Sequence, residues 1–465
     1  MSQSAIKKAR SRRARKAKTT SNQPIVRPHC AGIDVGASEL YVAVPTDAAS
    51  EPVRIFPTFT EDLHALADWL LQCEVRSVAL ESTGVYWIPI FQILEARGLE
   101  VCLVNARHVK NVPGRKTDVS DCQWLQYLHS VGLLRASFRP VAQVCAVRTL
   151  WRHRDMLVRS SVRHVQHMQK ALTQMNVQLA QVISDVTGQT GLSIIDAILA
   201  GERDAQKLAA LRDHRIKADI ATIAKSLAGD WQPEHLFTLG QARQIYTHYQ
   251  GMIAECDNQI ALLLSGFASE AEPAAMSDGQ SVLKTARPSP RRNEPQFDLR
   301  GELHRILGVD LTQVPGLQSL SVCALLTEVG PSVDRFATPK HFASWLGLCP
   351  DNRITGGRII SVATRDVKSR LAYALRMAAQ SLQRSQSALG DYFRRMKARL
   401  GTPAAITAAA HKLARILHHL IKHRCPYDAS VFAAQEQLHR QRREKNLRKQ
   451  AALFGFQLTP LQSPS

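Results

Sequence analysis

Asp34, Glu81, Asp118 and Asp121 are the residues whose types and spacing best suit chemistry. Asp34 closes an apolar run in Gly32-Ile33-Asp34-Val35-Gly36, and Glu81 closes another in Ala79-Leu80-Glu81-Ser82-Thr83-Gly84. Asp118 and Asp121 follow in Lys116-Thr117-Asp118-Val119-Ser120-Asp121. If that segment starts a helix, as its Thr and Asp content suggests, the i, i+3 spacing puts both carboxylates on one face. Two strand ends on one edge of a sheet, beside such a helix, would converge four acids. Converging carboxylates repel unless a cation neutralises them, and hard oxygen ligands suit Mg²⁺ or Mn²⁺. Two such ions about 4 Å apart can clamp the attacking and leaving oxygens of a phosphodiester. The chemistry implied is phosphoryl transfer on a nucleic-acid backbone. Each piece alone has a plainer reading. An Asp before Gly at a strand end is often a turn residue, and an Asp pair at a helix start is usually a cap. The set together, in a basic chain, is more specific.

The elements that must position these acids are legible around them. His29 to Val44 reads as a strand, a tight turn at Gly36 and a second strand. Asp62 to Cys73 carries helical periodicity through Leu63, Leu66, Leu70 and Leu71, and Val75 to Leu80 is a short buried strand. Ile88 to Arg97 reads as a helix ended by Gly98, with another strand at Val101 to Val104. Alternating strands and helices over 29–140 predict an α/β domain with a central sheet. Residues 141–265 read as helical. There Val165, Met168, Leu172, Met175, Leu179, Val182 and Val186 form an a/d seam. That seam packs either on its own domain or, as a coiled coil, between protomers. Residues 266–300 read as a linker, 301–430 as a mainly α C-terminal domain, and 431–465 as a basic tail.

The chain has 465 residues, with 60 Lys and Arg against 39 Asp and Glu, a formal charge of +21. Nine of those basic residues lie in 1–28, which contains no acid and reads as a disordered basic arm. Without them the body still carries +12. This excess favours a polyanion partner. No run reaches the roughly 18 apolar residues of a membrane helix, and no apolar segment follows the basic start. An integral membrane or secreted protein is therefore not expected, and a cytoplasmic setting is. The nine cysteines are odd in number and none has CxxC spacing. That argues against a disulfide framework and a Cys-rich zinc site.

The order of the acidic motifs resembles the DEDD transposases of bacterial insertion sequences, the insertion-sequence one-ten family. Their N-terminal domain is similar to the RuvC junction resolvase, with an RNase H-like fold. The resemblance implies that Asp34, Glu81, Asp118 and Asp121 are catalytic metal ligands, with Lys116 and Tyr86 at motif positions beside them. Tyr86 and Trp87 are either base-stacking or core aromatics. The resemblance continues through Phe342 to Pro350, then through Thr355-Gly356-Gly357-Arg358, and from Ala404 to Tyr427. It implies a homo-dimer or homo-tetramer, DNA ends and target as substrates, a noncoding guide (bridge) RNA, and a nucleoid-associated location in a bacterial cytoplasm.

In that family the serine of a Ser-Gly loop is a proposed nucleophile. This chain has Thr355 there, which keeps the hydroxyl but adds a methyl that restricts its rotamer. Thr355 is the working nucleophile, or Ser361 acts instead, or strand transfer is impaired. Gly356 and Gly357 allow close backbone approach, and Arg353, Arg358, Arg365, Lys368 and Arg370 could neutralise a phosphate. Val314-Pro315-Gly316-Leu317 partly resembles a helix-hairpin-helix, with Gln318 where a second Gly is usual, although an ordinary packing turn reads equally well. The rival readings are a junction nuclease without strand transfer, a decayed binding-only transposase, and an actin-like or sugar-kinase ATPase. The last rests on Gly32-Ile33-Asp34-Val35-Gly36 alone, with no companion phosphate loop.

Overall fold

The computed structural model describes residues 23–81, 84–105, 118–270, 293–457 and 459. Two compact units divide between Arg139 and Pro140. In the first, β1 (Cys30–Val35) turns at Gly36 into β2 (Glu39–Ala43), and the Gly36 N–H donates to the Glu39 carbonyl at 3.0 Å. β3 (Val53–Pro57), α1 (Thr60–Gln72), β4 (Ser77–Glu81), α2 (Trp87–Ala96), β5 (Glu100–Val104) and α3 (Asp118–Ser130) follow. The sheet order is β3-β2-β1-β4-β5. β1, β2 and β3 pair antiparallel, while β4 runs parallel to β1 and β5 parallel to β4. This mixed five-stranded sheet with flanking helices is the RNase H-like arrangement.

Strand alternation assigns each face its helices. Ala31, Ile33 and Val35, with Val78 and Leu80, pack against Leu66 and Leu70 of α1 and Ile90 and Leu94 of α2. Ala79, Cys102 and Val104 look the other way and pack on Leu125 and Leu128 of α3. All five residues of β4 are buried, as a central strand covered on both sides requires. β3 lies at the edge, with Arg54 and Ile55 exposed and a proline at its end. The sequence pattern had no signal for β3, because an edge strand alternates weakly. The arm read over 1–28 does not run free to its end. The Val26 and Arg27 N–H groups both donate to the Ser130 carbonyl, at 2.8 and 2.9 Å. Residues 1–22 lie outside the described residues.

The second unit opens with two 33-residue helices, α4 (Ala142–Gln174) and, further on, α9 (Pro233–Ser265). Between them lie α5 (Leu179–Val182), α6 (Gln189–Leu199), α7 (Ala205–Ala210) and α8 (Ile220–Leu227). The seam residues Val165, Met168, Leu172, Met175, Leu179 and Val186 are buried in one core with Ile194, Ile198, Ile223 and Leu239. Of the two readings of the seam at 165–186, packing on its own domain is the one observed, and the candidate interface between protomers there is not. α4 ends at Gln174, and the short helices cover the seam from within the same chain. Buried Arg154 and Asp257 join α4 to α9 through a bidentate ion pair, and Arg154 Nη1 also donates to the Asn293 carbonyl at 3.0 Å.

The remaining described α-helices are α10 (Leu299–Leu307), α11 (Ser319–Val329), α12 (Pro339–Trp345), α13 (Arg370–Ser381), α14 (Ala388–Leu400), α15 (Thr402–His423) and α16 (Ser430–Leu453). Their core includes Val144, Val147, Ile260 and Leu264 from the base of the α4–α9 pair. The helical middle and the C-terminal helices therefore share one core, because the base of the pair is apolar on that side. Residues 431–457, read from sequence as a basic tail, begin with the helix α16. A mainly helical domain was expected here, and it also holds a β-hairpin, β6 (Arg353–Thr355) and β7 (Arg358–Ser361). All nine cysteines are free. No helix among the described residues is long and apolar enough to cross a membrane.

Candidate active site

The close approach of α3 to β1 builds the acidic edge. A Cβ at Gly32 would stand 2.3 Å from the Gln126 nitrogen and 2.4 Å from the Cys122 carbonyl oxygen, so only glycine lets helix and strand backbones touch. Gln126 adds a side-chain bond to the Cys30 carbonyl at 3.4 Å. Cys30, Gly32 and Asp34 share the face turned to α3, two residues apart. Ala79 and Glu81 share that face on the neighbouring strand. β1 and β4 pair in parallel with Ile33 opposite Leu80, and one further step sets Asp34 beside Glu81. Glu81 is 5% exposed, while Asp34 and Asp121 are half-buried.

The thiol of Cys122 reports that Asp34 lies close to α3. Burial chiefly pushes it up, to about 11, and the carboxylates of Asp34 and Asp121 add to the rise. Asp34 thus lies near the start of α3, where Asp121 immediately precedes the thiol. Asp118 is the first residue of that helix, and its side chain lies outside the described residues, as does all of Lys116. Among the described residues, no group of three His, Cys, Asp or Glu side chains stands close enough to hold a metal. The structure therefore sets Asp34 beside Glu81 at one sheet edge and puts Asp121 in the first turn of the helix that packs on β1, without a closed ligand cluster. The donors there are all carboxylate oxygens, which suit a hard cation such as Mg²⁺. Tyr86 is exposed, and half-buried Trp87 meets Phe91 edge-on at 5.6 Å.

In the second unit Thr355 ends β6 and pairs with Arg358 across a two-residue turn. Gly356 and Gly357 have φ of +54° and +77°, the left-handed pair that such hairpin turns demand. A Cβ on either would meet nothing within 4 Å, so backbone conformation alone requires glycine within this chain. Thr355 is exposed at the tip, and Ile354, Ile359 and Ile360 are exposed beside it. Ser361 is half-buried, and its Oγ accepts the Ala363 N–H at 3.2 Å, a local turn contact.

The basic residues around this hairpin divide into two kinds. Arg365 donates to the Ser344 carbonyl and, at 3.3 Å, to the Ser344 hydroxyl, which ties its segment to α12. Arg370 pairs with Asp155 at 2.9 Å. Arg358 and Lys368 are exposed and have no ion-pair partner among the described residues. The Arg353 side chain lies outside them. At the expected helix-hairpin-helix, Val314 and Leu317 are buried. A Cβ at Gly316 (φ +91°) would stand 2.7 Å from the Ala378 carbonyl oxygen. The turn therefore packs on α13, and that contact explains its glycine. Sequence reasoning missed the tyrosines, histidines and basic residues that α14 and α15 gather around one cavity, because their spacing across two helices and a loop matches no linear motif.

The RNase H-like sheet with carboxylates at its edge is the arrangement of a class of nucleic-acid-processing enzymes, and the family matches narrow it to a transposase. A transposase family model of the DEDD type matches residues 31–177, and one described as the Transposase IS116/IS110/IS902 family matches residues 310–394. The chain belongs to the IS110 family of DEDD transposases. No curated protein matches it.

Proposed function

We propose that this transposase cleaves and rejoins DNA at the ends of its own insertion sequence, with Asp34, Glu81, Asp118 and Asp121 as the metal-binding tetrad. The observation that supports this reading is the register that sets Asp34 beside Glu81 at a sheet edge on which α3, with Asp121 in its first turn, packs. Mg²⁺, or Mn²⁺, bound there would neutralise the acids and polarise a phosphodiester. The carboxylates hold that charge at a fixed point, and the buried position of Glu81 keeps water from competing for it. Lys116, which precedes Asp118 by two residues in the chain, supplies a positive charge for the phosphate.

Thr355 supplies the attacking hydroxyl. Its oxygen bonds to phosphorus, the bond to the leaving DNA oxygen breaks, and the hydroxyl proton passes to a base while the leaving oxygen takes one up. A phosphodiester replaces a phosphodiester, so the bond energy is kept for rejoining. The exposed tip position and the open turn at Gly356 and Gly357 support this role. The Ser361 hydroxyl serves the hairpin's end instead. Arg358 and Lys368 offer charge to the phosphate, with Arg353 beside them, whereas Arg365 and Arg370 mainly brace the fold. Two DNA ends require at least two copies, hence a homo-dimer or homo-tetramer. An element-encoded guide RNA fits the family resemblance and the excess positive charge, and the reaction belongs at the nucleoid in the cytoplasm.

The test is cleavage of element-end DNA by wild type, Glu81→Gln and Asp118→Ala, with Mg²⁺ and with chelator. Wild type should cut only with metal, and both variants should lose cutting by at least about a hundredfold, the scale of losing one electrostatic contributor. Their DNA affinity should stay within about twofold. Unchanged cutting by the variants would remove the tetrad assignment.

A further inference from the structure

We propose that a cavity of about 870 Å³ between α14, α15 and the segment leading to α16 holds a single unpaired nucleotide of a bound strand. The idea deepens the nucleic-acid reading above and rests on it. Lys412, Arg415, His411 and His419 line the cavity with Tyr392 and Tyr427. Its volume lies within the roughly 300–1,000 Å³ typical of pockets that enclose a small ligand.

The lining separates into two parts that match the two parts of a nucleotide. Arg415 and His419 are exposed on α15 and form a basic rim. Ile416 and Leu420, one residue further along, are buried and give an apolar floor. The Lys412 ammonium sits 4.3 Å from the centre of the Tyr392 ring, and Arg395 lies over the same ring at 5.6 Å. That ring holds the ammonium in place by cation–π attraction. Lys412 is thereby held as positive charge for a phosphate and exposed Arg415 adds to it at the rim, while half-buried Tyr427 offers a ring for a base to stack on. Burial pushes both tyrosine hydroxyls up, so each stays a neutral donor. His411 is held below its usual value by burial and by Arg415, which leaves a neutral ring able to pair with a base edge. The acid at the cavity, Asp428, accepts the Ser430 N–H and hydroxyl, each at 2.8 Å, and is turned to that turn. A flat apolar-faced ring carrying an anion matches this combination better than a peptide or a fatty chain does.

The experiment uses the full chain and duplexes that are either fully paired or carry one bulged 2-aminopurine, in DNA and in RNA. The bulged duplex should bind roughly tenfold more tightly than the paired one, the scale of one base–aromatic stack, with quenched 2-aminopurine fluorescence. Lys412→Met and Tyr427→Ala should each erase most of that preference and leave paired-duplex affinity within about twofold. Tyr427→Phe, which keeps the ring, should retain both the preference and the quench. Preference in the DNA series or the RNA series identifies which strand is the source. Equal binding of bulged and paired probes, or a preference unchanged in Lys412→Met and Tyr427→Ala, would overturn the proposal while leaving the transposase reading intact. Failure to bind any probe would instead overturn the nucleic-acid reading, and this proposal with it.

Discussion

Gly32 is the residue on which the acidic edge depends most. Its missing Cβ lets α3 lie against β1, and that contact brings Asp121 towards Asp34. Gly32→Ala should cost about 1–3 kcal/mol in denaturant unfolding, because a backbone rather than a flexible side chain must move. Strand cleavage should fall further than stability, since the carboxylates shift with the helix. The neighbouring positions of Asp34 and Glu81 were legible in sequence because each stands at the end of an apolar run, and parallel strand ends gather at one edge. The reason for Gly32 was not legible. The helix it touches lies about ninety residues further along, and linear spacing gives no measure of that distance.

Among the elements, α3 carries a second burden at its other end. Buried His129 bonds Ser77 of β4 at 3.0 Å, and burial lowers its pKa to about 4, with Arg27 adding to the drop. Its unfolded-state value is higher, so between about pH 6.5 and 4 the unfolded chain binds more protons. The stability gained from neutral His129 is complete above pH 6.5 and is lost as pH falls towards 4, by on the order of 2–3 kcal/mol. His129→Gln should flatten that part of a stability-against-pH curve. If the slope remains, another group sets it. In the second unit, Asp257→Ala strands a buried guanidinium between α4 and α9 and should cost about 3–5 kcal/mol. Replacing the pair together by Arg154→Met and Asp257→Leu should recover most of it.

The apolar face at the end of α4 was visible as a heptad seam, but its partner was not. Periodicity reports that a face is apolar and is silent on what covers it. Here α5 to α8 cover the seam. The hairpin at Thr355 was readable as a loop from Gly356 and Gly357. Its strands were hidden because Ile354, Ile359 and Ile360 show none of the alternation that a half-buried sheet imposes.

For the whole molecule, charge sets the terms of binding. Residues 1–22 carry eight of the 60 basic side chains and no acid. Removing them leaves Val26 and Arg27 anchored on Ser130, so the fold should persist. The slope of log affinity against log salt should become shallower by about 0.9 for each duplex phosphate the segment contacts. An unaltered slope would make it a passive extension. The central claim, that a carboxylate edge and a threonine hydroxyl together move DNA strands, is tested most directly by recombinant-junction formation in cells supplied with the element's flanking DNA. Wild type and Thr355→Ser should form junctions and a covalent protein–DNA adduct, and Thr355→Ala should form neither. Junctions from Thr355→Ala at the wild-type level would contradict the account.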